Sequence, residues 1–331
     1  MIISNPLLSI VIPTYNRSTF ISEFLHYHYT QIIKYNIEVF VLDNNSEDQT
    51  SEIVKEWNKK SELIKYCKND VNLGGVKNVQ KAFAIPTTEY FWVLGDTYKI
   101  PQNGILKSLE IINTKQPDFI IFNLANRGPI EERLYTDKNQ VLNDLGAVCS
   151  CLSVTIFKRS RIQDISKISL LDYSVYPHTL ILFHSLSNTK NFKLLWLGDK
   201  NIEGLAVNGV VKNSWIFSKD VFEIGLRNWR NTVMSLPDSY TKSSKQKAII
   251  DEFKIVIVDS RFSYFRKQNI FNLRVYRKYK YELSLCENIN MNKIFLIACS
   301  PIFLFQVFDF ILGSQSILRK CVRFFKKFAF R

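Results

Sequence analysis

The 331-residue sequence has few cysteines, and they follow no pairing pattern. Only Cys149 and Cys151 lie close together, and this spacing without a second Cys or His pair does not indicate a zinc site. The N-terminus lacks a basic region leading into an apolar core, so we expect no secretory signal. The 46% apolar content of the sequence excludes a disordered chain. We expect a globular cytoplasmic protein with reduced thiols.

Four short apolar runs in the first hundred residues are typical of buried strands. Each is rich in β-branched and aromatic residues and is closed by Pro, Asp-Asn or Gly. They cover residues 9–12, 37–42, 63–66 and 90–94, with segments of helical spacing between them. Such alternation predicts parallel strands with helices on both faces of the sheet. A helix at 105–112 and two more strands at 118–123 and 152–157 are expected to follow.

Polar loops of distinctive composition follow the four runs. Because ligands bind beyond the carboxyl ends of strands in such sheets, these loops are expected to gather at one site. They are Pro13-Thr14-Tyr15-Asn16-Arg17, Asp43-Asn44-Asn45-Ser46, Asn72-Leu73-Gly74-Gly75-Val76-Lys77-Asn78 and Gly95-Asp96-Thr97-Tyr98. Together they resemble the nucleotide-sugar half of a family 2 glycosyltransferase. The resemblance covers about residues 1–220, strongly to 125, and implies the α/β GT-A fold with a mostly parallel sheet.

In this resemblance the first loop lies against the nucleotide base and its phosphates. Tyr15 would stack on the base, and Arg17 would place positive charge near the diphosphate. The residue pattern alone equally fits a strand-to-helix turn in which Asn16 or Ser18 caps the helix. The donor-binding residues that the resemblance assigns here are Pro13, Thr14, Tyr15 and Arg17.

The second loop supplies a carboxylate. By resemblance, Asp43 accepts a hydrogen bond from a uracil-type N–H, and Asn45 belongs to the donor site. Asp48 lies just before Thr50 and Ser51, and short polar side chains satisfy the free N–H groups of a first helical turn. We therefore predict that Asp43 binds the donor and that Asp48 stabilises the start of the following helix.

The third loop resembles the family's Asn-x-Gly-x-x-x-Asn segment, which implies donor-binding roles for Asn72, Gly74, Lys77 and Asn78. Adjacent glycines let the backbone approach a ligand closely just before a helix begins. Lys77 and the helix N-terminus would then favour a diphosphate. A glycine turn alone is a weak signal, and its spacing from Asp43 strengthens it.

The fourth loop departs from the family pattern. The usual Asp-x-Asp motif contacts the ribose and holds Mg²⁺ or Mn²⁺, but here Gly95 and Asp96 are followed by Thr97 and Tyr98. Mg²⁺ can be held by one or two carboxylates together with substrate phosphates and water. Three outcomes are open: a metal held through Asp96, metal-free transfer that uses cationic side chains, or lost activity.

Candidates for the remaining chemistry lie in the second half of the resemblance. Inverting transfer requires a base opposite the leaving diphosphate, and Asp172 or His178 fits that role by residue type. A helix cap and a buried core histidine are the alternative interpretations. The segment that contains Lys212 and Trp215 resembles a loop of abequosyltransferase-like members. If this loop is mobile and closes over the donor, Lys212 would neutralise the charge of the leaving group. A surface loop with Trp215 packed beneath it is the alternative.

The net charge of +14 is concentrated toward the C-terminus. Residues 244–285 are expected to form amphipathic helices, and their basic and aromatic residues are compatible with nucleic-acid binding, although no recognised nucleic-acid motif accompanies them. Residues 293–312 are apolar over nearly the length of a membrane span, which Pro301, Gln306 and Asp309 argue against. Residues 316–331 alternate basic and apolar side chains, as in a helix lying on an anionic membrane surface.

These patterns predict a glycosyltransferase domain over 1–220, a helical extension over 221–290 and a membrane-associating tail over 291–331. We expect transfer of a sugar from a nucleotide-diphosphate donor, a UDP-sugar in the first instance, to a glycan or lipid-linked acceptor in O-antigen or capsule assembly. The protein would lie on the inner face of the membrane and would not bind nucleic acid. An inactive nucleotide-sugar-binding homologue and a basic nucleic-acid-binding protein are the alternatives.

Overall fold

A computed structural model describes residues 6–162, 168, 174–210 and 215–302 of the chain. The strands within these residues are β1 Leu8–Thr14, β2 Glu38–Asp43, β3 Ile64–Lys68, β4 Tyr90–Val93, β5 Tyr98–Lys99, β6 Phe119–Leu124, β7 Arg133–Tyr135, β8 Thr155–Lys158 and β9 Leu194–Gly204. The α-helices are α1 Ser18–Lys34, α2 Thr50–Lys60, α3 Gly75–Ala82, α4 Gly104–Lys115, α5 Lys138–Leu145, α6 Pro177–Asn188, α7 Trp229–Met234, α8 Lys242–Val256, α9 Arg261–Lys267, α10 Leu273–Lys278, α11 Lys280–Ser284 and α12 Met291–Cys299. The predicted alternation of strands and helices in the first hundred residues is confirmed.

The strands of the described chain form one mixed sheet in the order β3-β2-β1-β4-β8-β6-β9-β5, and β7 also pairs with β9. Strands β1 to β4 are parallel neighbours, and β6 is parallel to β9. The predicted mostly parallel sheet is therefore confirmed. Strand β8, whose direction the sequence analysis did not predict, lies antiparallel between β4 and β6. An apolar run specifies a strand but not its direction.

Aromatic side chains fill the core around β4, β6 and β8. Trp92 and Phe122 stack with ring centroids 4.7 Å apart, and Phe91 stacks on Phe157 at 5.6 Å. All four side chains are buried, and each contributes roughly 1.5–3 kcal/mol of transfer free energy. Trp92 also donates from Nε1 to the carbonyl of Ser153 at 2.7 Å. This packing fixes the end of β4 against the segment that leads into β8.

The described chain divides into two compact units. The first comprises residues 6–210 and 228–252 and contains the sheet. The second comprises residues 215–227 and 253–302 and is helical, as predicted for most of 244–285. Phe222, Phe262, Phe265 and Phe271 form an aromatic cluster within it. The predicted domain boundaries at 220 and 290 stay predictions.

Helix α12 occupies the start of the apolar C-terminal segment and ends at Cys299. Where the chain is described, no helix combines the length and apolar character that crossing a bilayer requires. Residues 303–331, which include the basic part of the predicted tail, lie outside the described residues.

Candidate functional site

The first and fourth polar loops meet at the carboxyl edge of the sheet. Strands β1 and β4 are hydrogen-bonded neighbours, so the loops that follow them emerge side by side. Thr14 donates from Oγ1 to Oδ2 of Asp96 at 2.9 Å. The backbone N–H of Gly95 donates to Oγ of Ser153 at 2.9 Å. The carboxylate of Asp96 is thereby held at a fixed position beside the end of β1.

Asp43 ends β2, the other neighbour of β1. Its carboxylate is buried and accepts two hydrogen bonds, at Oδ1 from the N–H of Ser46 at 2.9 Å and at Oδ2 from the hydroxyl of Tyr66 at 2.6 Å. Burial, followed by the bond to Asp43, raises the pKa of Tyr66 to about 12, so the phenol remains a donor. An ionised carboxylate offers about four acceptor positions, so these bonds leave capacity for another donor.

The first and second loops interlock through backbone and side-chain bonds. Asn16 has a left-handed backbone with φ 51°; its N–H donates to Oγ of Ser46, and its Oδ1 accepts from the N–H of Glu47. The alternative interpretation of this loop, in which the side chain of Asn16 or Ser18 caps α1, is wrong, because α1 begins after Arg17 without a side-chain cap. Asp48 instead accepts from the N–H of Ser18 at 2.9 Å and from that of Thr50 at 3.1 Å, so one carboxylate serves the starts of α1 and α2.

Tyr15 and Arg17 present side chains from the interlocked loops. Tyr15 is 40% exposed, which leaves its ring accessible for stacking. The guanidinium of Arg17 lies 5.7 Å from the ring centroid of Phe20, which orients it near the start of α1. Asn45 is half-buried and has φ 65°, and Pro13 is half-buried within β1. The donor-binding roles of these residues stay predictions.

Asparagine side chains build the third loop. Asn69 is buried and donates from Nδ2 to Oδ1 of Asn44 at 2.9 Å and to Oδ1 of Asn78 at 2.8 Å. Asn44 donates to Oδ1 of Asn72 at 2.7 Å, and the same oxygen accepts from the N–H of Gly74 at 2.9 Å. Asn72 and Asn78 thus shape the loop, and a ligand contact by either would be additional to these bonds.

The glycine turn leads directly into α3. Gly74 has φ 79°, a left-handed conformation that glycine adopts without steric cost, and α3 begins at Gly75. The first N–H groups of a helix lack intrahelical partners and favour an anion. Lys77 is exposed in the first turn of α3. This geometry is compatible with the diphosphate contact predicted for Gly74 and Lys77.

His178 lies at the start of α6 in a buried environment. Its Nε2 donates to the carbonyl of Ser150 at 3.0 Å, and burial lowers the pKa of the imidazole to about 4. The ring is neutral at pH 7, and its described hydrogen bond holds the segment before β8. A catalytic role for His178 stays a prediction. Asp172 and Lys212, the other predicted catalytic and leaving-group residues, lie outside the described residues.

Comparison with known proteins identifies the family of the first unit. Residues 9–171 match the family model described as Glycosyl transferase family 2. The chain carries a family 2 glycosyltransferase domain. Abequosyltransferase RfbV of Salmonella typhimurium is 28% identical over 208 residues, which span 55% of this chain and 62% of that relative. All four polar loops of the glycosyltransferase domain lie within the matched residues.

Solved structures share the GT-A fold of the glycosyltransferase domain. TarS 1-349 of S. aureus superposes with a TM-score of 0.57 at 19% identity, covering 88% of this chain and 80% of that chain. TarS 1-349 has also been solved with UDP and with UDP-GlcNAc. Mannosyltransferase PcManGT from Pyrobaculum calidifontis, in complex with GDP-Man and Mn²⁺, gives a TM-score of 0.53 at 13% identity, covering 89% of this chain and 86% of that chain.

The side chains around Asp96 do not provide enough ligands to hold a metal ion without help from a substrate. Across the described residues, no group of three or more His, Cys, Asp or Glu side chains is placed to hold a metal ion. Asp96 shares one oxygen with Thr14, and Thr97 and Tyr98 replace the acids of the usual motif. A divalent ion here would depend mainly on phosphate oxygens and water for its ligands.

Several residues of the glycosyltransferase domain that organise the site were not predicted from the sequence. Tyr66, Asn69 and Ser153 each bond a predicted residue or its loop, and Arg127 follows β6 at the same edge of the sheet. Asn69 lies close before Asn72 in the sequence, so the run of asparagines was a usable signal. The contacts of Ser153 depend on the antiparallel placement of β8, which no local pattern indicates.

Proposed function

We propose that this protein transfers one sugar from a nucleoside-diphosphate donor, a UDP-sugar in the first instance, to a glycan or lipid-linked acceptor of a surface polysaccharide such as O-antigen or capsule. The observation that carries the proposal is the convergence of Thr14, Asp96 and Asp43 on adjacent strand ends. The family match, the likeness to an abequosyltransferase and the UDP complexes of a protein with the same fold support it.

In the proposed reaction the nucleotide lies across the ends of β1 and β2. Asp43 accepts from the base, Tyr15 stacks on it, and Asp96 contacts the ribose. Arg17, Lys77 and the N–H groups at the start of α3 meet the diphosphate. Asp96 is the one acid of the usual motif that the sequence retains, so it would be the protein's contribution to a bound Mg²⁺ or Mn²⁺.

The transfer itself is proposed to invert the anomeric centre. The acceptor oxygen bonds to the anomeric carbon from the face opposite the diphosphate, and the bond from that carbon to the phosphate oxygen breaks. The diphosphate keeps the electron pair, and the acceptor proton passes to a base, for which Asp172 and His178 are the candidates.

We propose a peripheral position on the inner face of the cell membrane. In the helical unit, Phe295 and Leu296 of α12 are 42% and 64% exposed, and the basic residues of 316–331 follow in the sequence. Each Lys or Arg near an anionic surface contributes about 1 kcal/mol of attraction. Truncation after Ile302 keeps α12, whose Ile294 and Ile297 are buried, and should release the protein from anionic vesicles. Unchanged vesicle binding by the truncated chain would contradict this assignment.

A thermal-shift screen with UDP-, GDP-, CDP- and TDP-sugars tests the donor proposal. We expect one of these donors to raise the melting temperature and to be hydrolysed slowly without acceptor. The loss of acids at Thr97 and Tyr98 favours one second candidate, a nucleotide-sugar-binding homologue without transferase activity. That candidate predicts stabilisation by a donor without hydrolysis or transfer. No stabilisation by any of the four would contradict both.

A further inference from the structure

The loop that follows β6 has a strained backbone. Ala125 and Asn126 both have left-handed conformations, with φ 50° and φ 55°, which residues other than glycine rarely adopt in succession. Strain of this kind persists only where the surrounding structure enforces it, and it clusters at functional sites. The next residue, Arg127, closes the turn by donating from its N–H to the carbonyl of Leu124 at 3.1 Å.

Two asparagines hold this strained loop in place. Asn123 is buried; its Oδ1 accepts from the N–H of Leu124 at 2.8 Å and of Gly128 at 3.2 Å, and its Nδ2 donates to the carbonyl of Gly198 at 2.9 Å. Asn201 accepts from the N–H of Asn126 at 2.9 Å and donates to its side-chain oxygen at 2.8 Å. These bonds fix the backbone on both sides of Arg127, at Leu124, Asn126 and Gly128.

The positive charge of Arg127 acts on Tyr98, in the loop where the usual metal motif has lost its later acids. Cys151 and burial raise the pKa of Tyr98, and the positive charge of Arg127 opposes that rise. Burial raises the pKa of Glu252 on α8 to about 7, again opposed by Arg127, and Oε2 of Glu252 is buried without a hydrogen-bond partner. Considering only described residues, the half-buried guanidinium of Arg127 makes no ion pair within 4.0 Å.

Arg127 and Asp96 lie at the same edge of the sheet. Strand β8 separates β4 from β6, and β4 and β6 run in the same direction because β8 is antiparallel to both. Strands two places apart are separated by about 10 Å. The ends of β4 and β6 can therefore be bridged by a ligand the size of a sugar diphosphate.

We propose that Arg127 neutralises the charge that the diphosphate gains as it leaves, the role that a second acid and its metal ion serve in the usual motif. This inference rests on the proposed function. When the bond from the anomeric carbon to the phosphate oxygen breaks, the electron pair stays on the diphosphate and the guanidinium donates hydrogen bonds to its oxygens. A planar guanidinium matches phosphate oxygens in a two-pronged geometry that an amine cannot reproduce.

Calorimetry with UDP, GDP, CDP and TDP, each paired with its nucleoside, tests the inference in EDTA and in Mn²⁺. We expect the wild-type protein to bind one diphosphate in EDTA within about threefold of its affinity in Mn²⁺. Arg127→Gln should weaken that diphosphate about 10- to 100-fold and leave the matching nucleoside unchanged, as expected for a charged hydrogen bond. Arg127→Lys should recover part of the loss. Arg133→Gln, with the same change in charge at an exposed residue paired to Asp144, should match the wild type.

Other outcomes overturn the inference, and they separate it from the proposed function. Loss of wild-type diphosphate binding in EDTA would show that a metal is required and would leave the proposed function intact. Equal weakening of nucleoside and diphosphate in both Arg127 variants would indicate a structural role. Unchanged diphosphate affinity in Arg127→Gln, with a raised KM for the acceptor, would assign Arg127 to an acceptor anion. Failure of the wild-type protein to bind any of the four diphosphates would overturn both proposals.

Discussion

The two sides of the sheet domain differ in how many of their polar side chains have hydrogen-bond partners. At the ends of β2 and β3, Asp43 accepts hydrogen bonds from Ser46 and Tyr66, and Asn69 donates to Asn44, which leaves a largely preformed surface. Beyond β8, Glu252 is buried with an unpartnered oxygen, and Arg127 lacks an ion pair among the described residues. The donor half is held by hydrogen bonds between its own loops, whereas the other half keeps a buried carboxyl oxygen without a hydrogen-bond partner among the described residues.

The largest effect is expected from Asp96, where the two halves meet. Asp96→Asn keeps an oxygen that can accept from Thr14 but removes the negative charge, so transfer should fall at least about 100-fold with little change in melting temperature. Donor hydrolysis and transfer assays measure the loss. Asp199→Asn removes an exposed acid paired to Lys200 and serves as the control. Wild-type activity in Asp96→Asn would remove this loop from the site.

Substitution of Glu252 tests whether a buried carboxylate without a hydrogen-bond partner at one oxygen destabilises the fold at high pH. Its folded pKa of about 7 lies above the ordinary value of 4.5, so the folded protein binds an extra proton between these values. Stability from this group is present below about pH 4.5 and is lost as pH rises through 7. Glu252→Gln should therefore be more stable than the wild type at pH 8, by up to about 3 kcal/mol, and the difference should shrink below pH 5.

Urea denaturation across pH 4–8 measures this effect. Asp251→Asn, on the same helix but partly exposed in an ion pair with Lys247, should change stability by less than about 1 kcal/mol at each pH. A pH-independent difference for Glu252→Gln would show that the carboxyl does not titrate in this range.

Substitution of Asp43 tests the hydrogen-bonded surface at the ends of β2 and β3. Asp43→Ala should weaken donor binding by about 1–3 kcal/mol because it removes the acceptor proposed for the base. It also leaves the N–H of Ser46 and the hydroxyl of Tyr66 without their partner, so stability should fall as well. Tyr66→Phe removes only the second bond and should retain most of the affinity. Unchanged nucleotide affinity in folded Asp43→Ala would exclude Asp43 from base recognition.

The smallest effect is expected at Tyr98. Tyr98→Asp restores the last acid of the usual motif, so Mn²⁺ should stimulate this variant by roughly 10-fold while changing the wild type by less than about threefold. Tyr98→Phe removes the hydroxyl without adding an acid and should show no gain. Titration of Mn²⁺ by electron paramagnetic resonance provides a binding measurement independent of activity. Equal Mn²⁺ affinity in Tyr98→Asp and Tyr98→Phe would contradict a metal position there.

Local patterns predicted the donor half well because its strands and loops are defined by short segments. The runs ending at Thr14, Asp43 and Val93 are strands, and each lies beside a loop whose composition signals its role. Strand β9 was not predicted, because its second part, from Asp199 to Gly204, is mostly polar and pairs with β6 across a register shift. The electrostatic interaction between Arg127 and Glu252 could not be predicted either, because these residues are far apart in the sequence.

The antiparallel insertion of β8 has a consequence for the order of folding during synthesis. Strand β6 has no direct pairing with β4, so residues 119–124 cannot join the sheet through that edge until residues 155–158 have been made. Until then the apolar edges of β4 and β6 lack their partner, and unpaired strand edges promote association between chains. Fragments that stop before Thr155 should therefore aggregate, whereas those that extend past β9 can close the sheet.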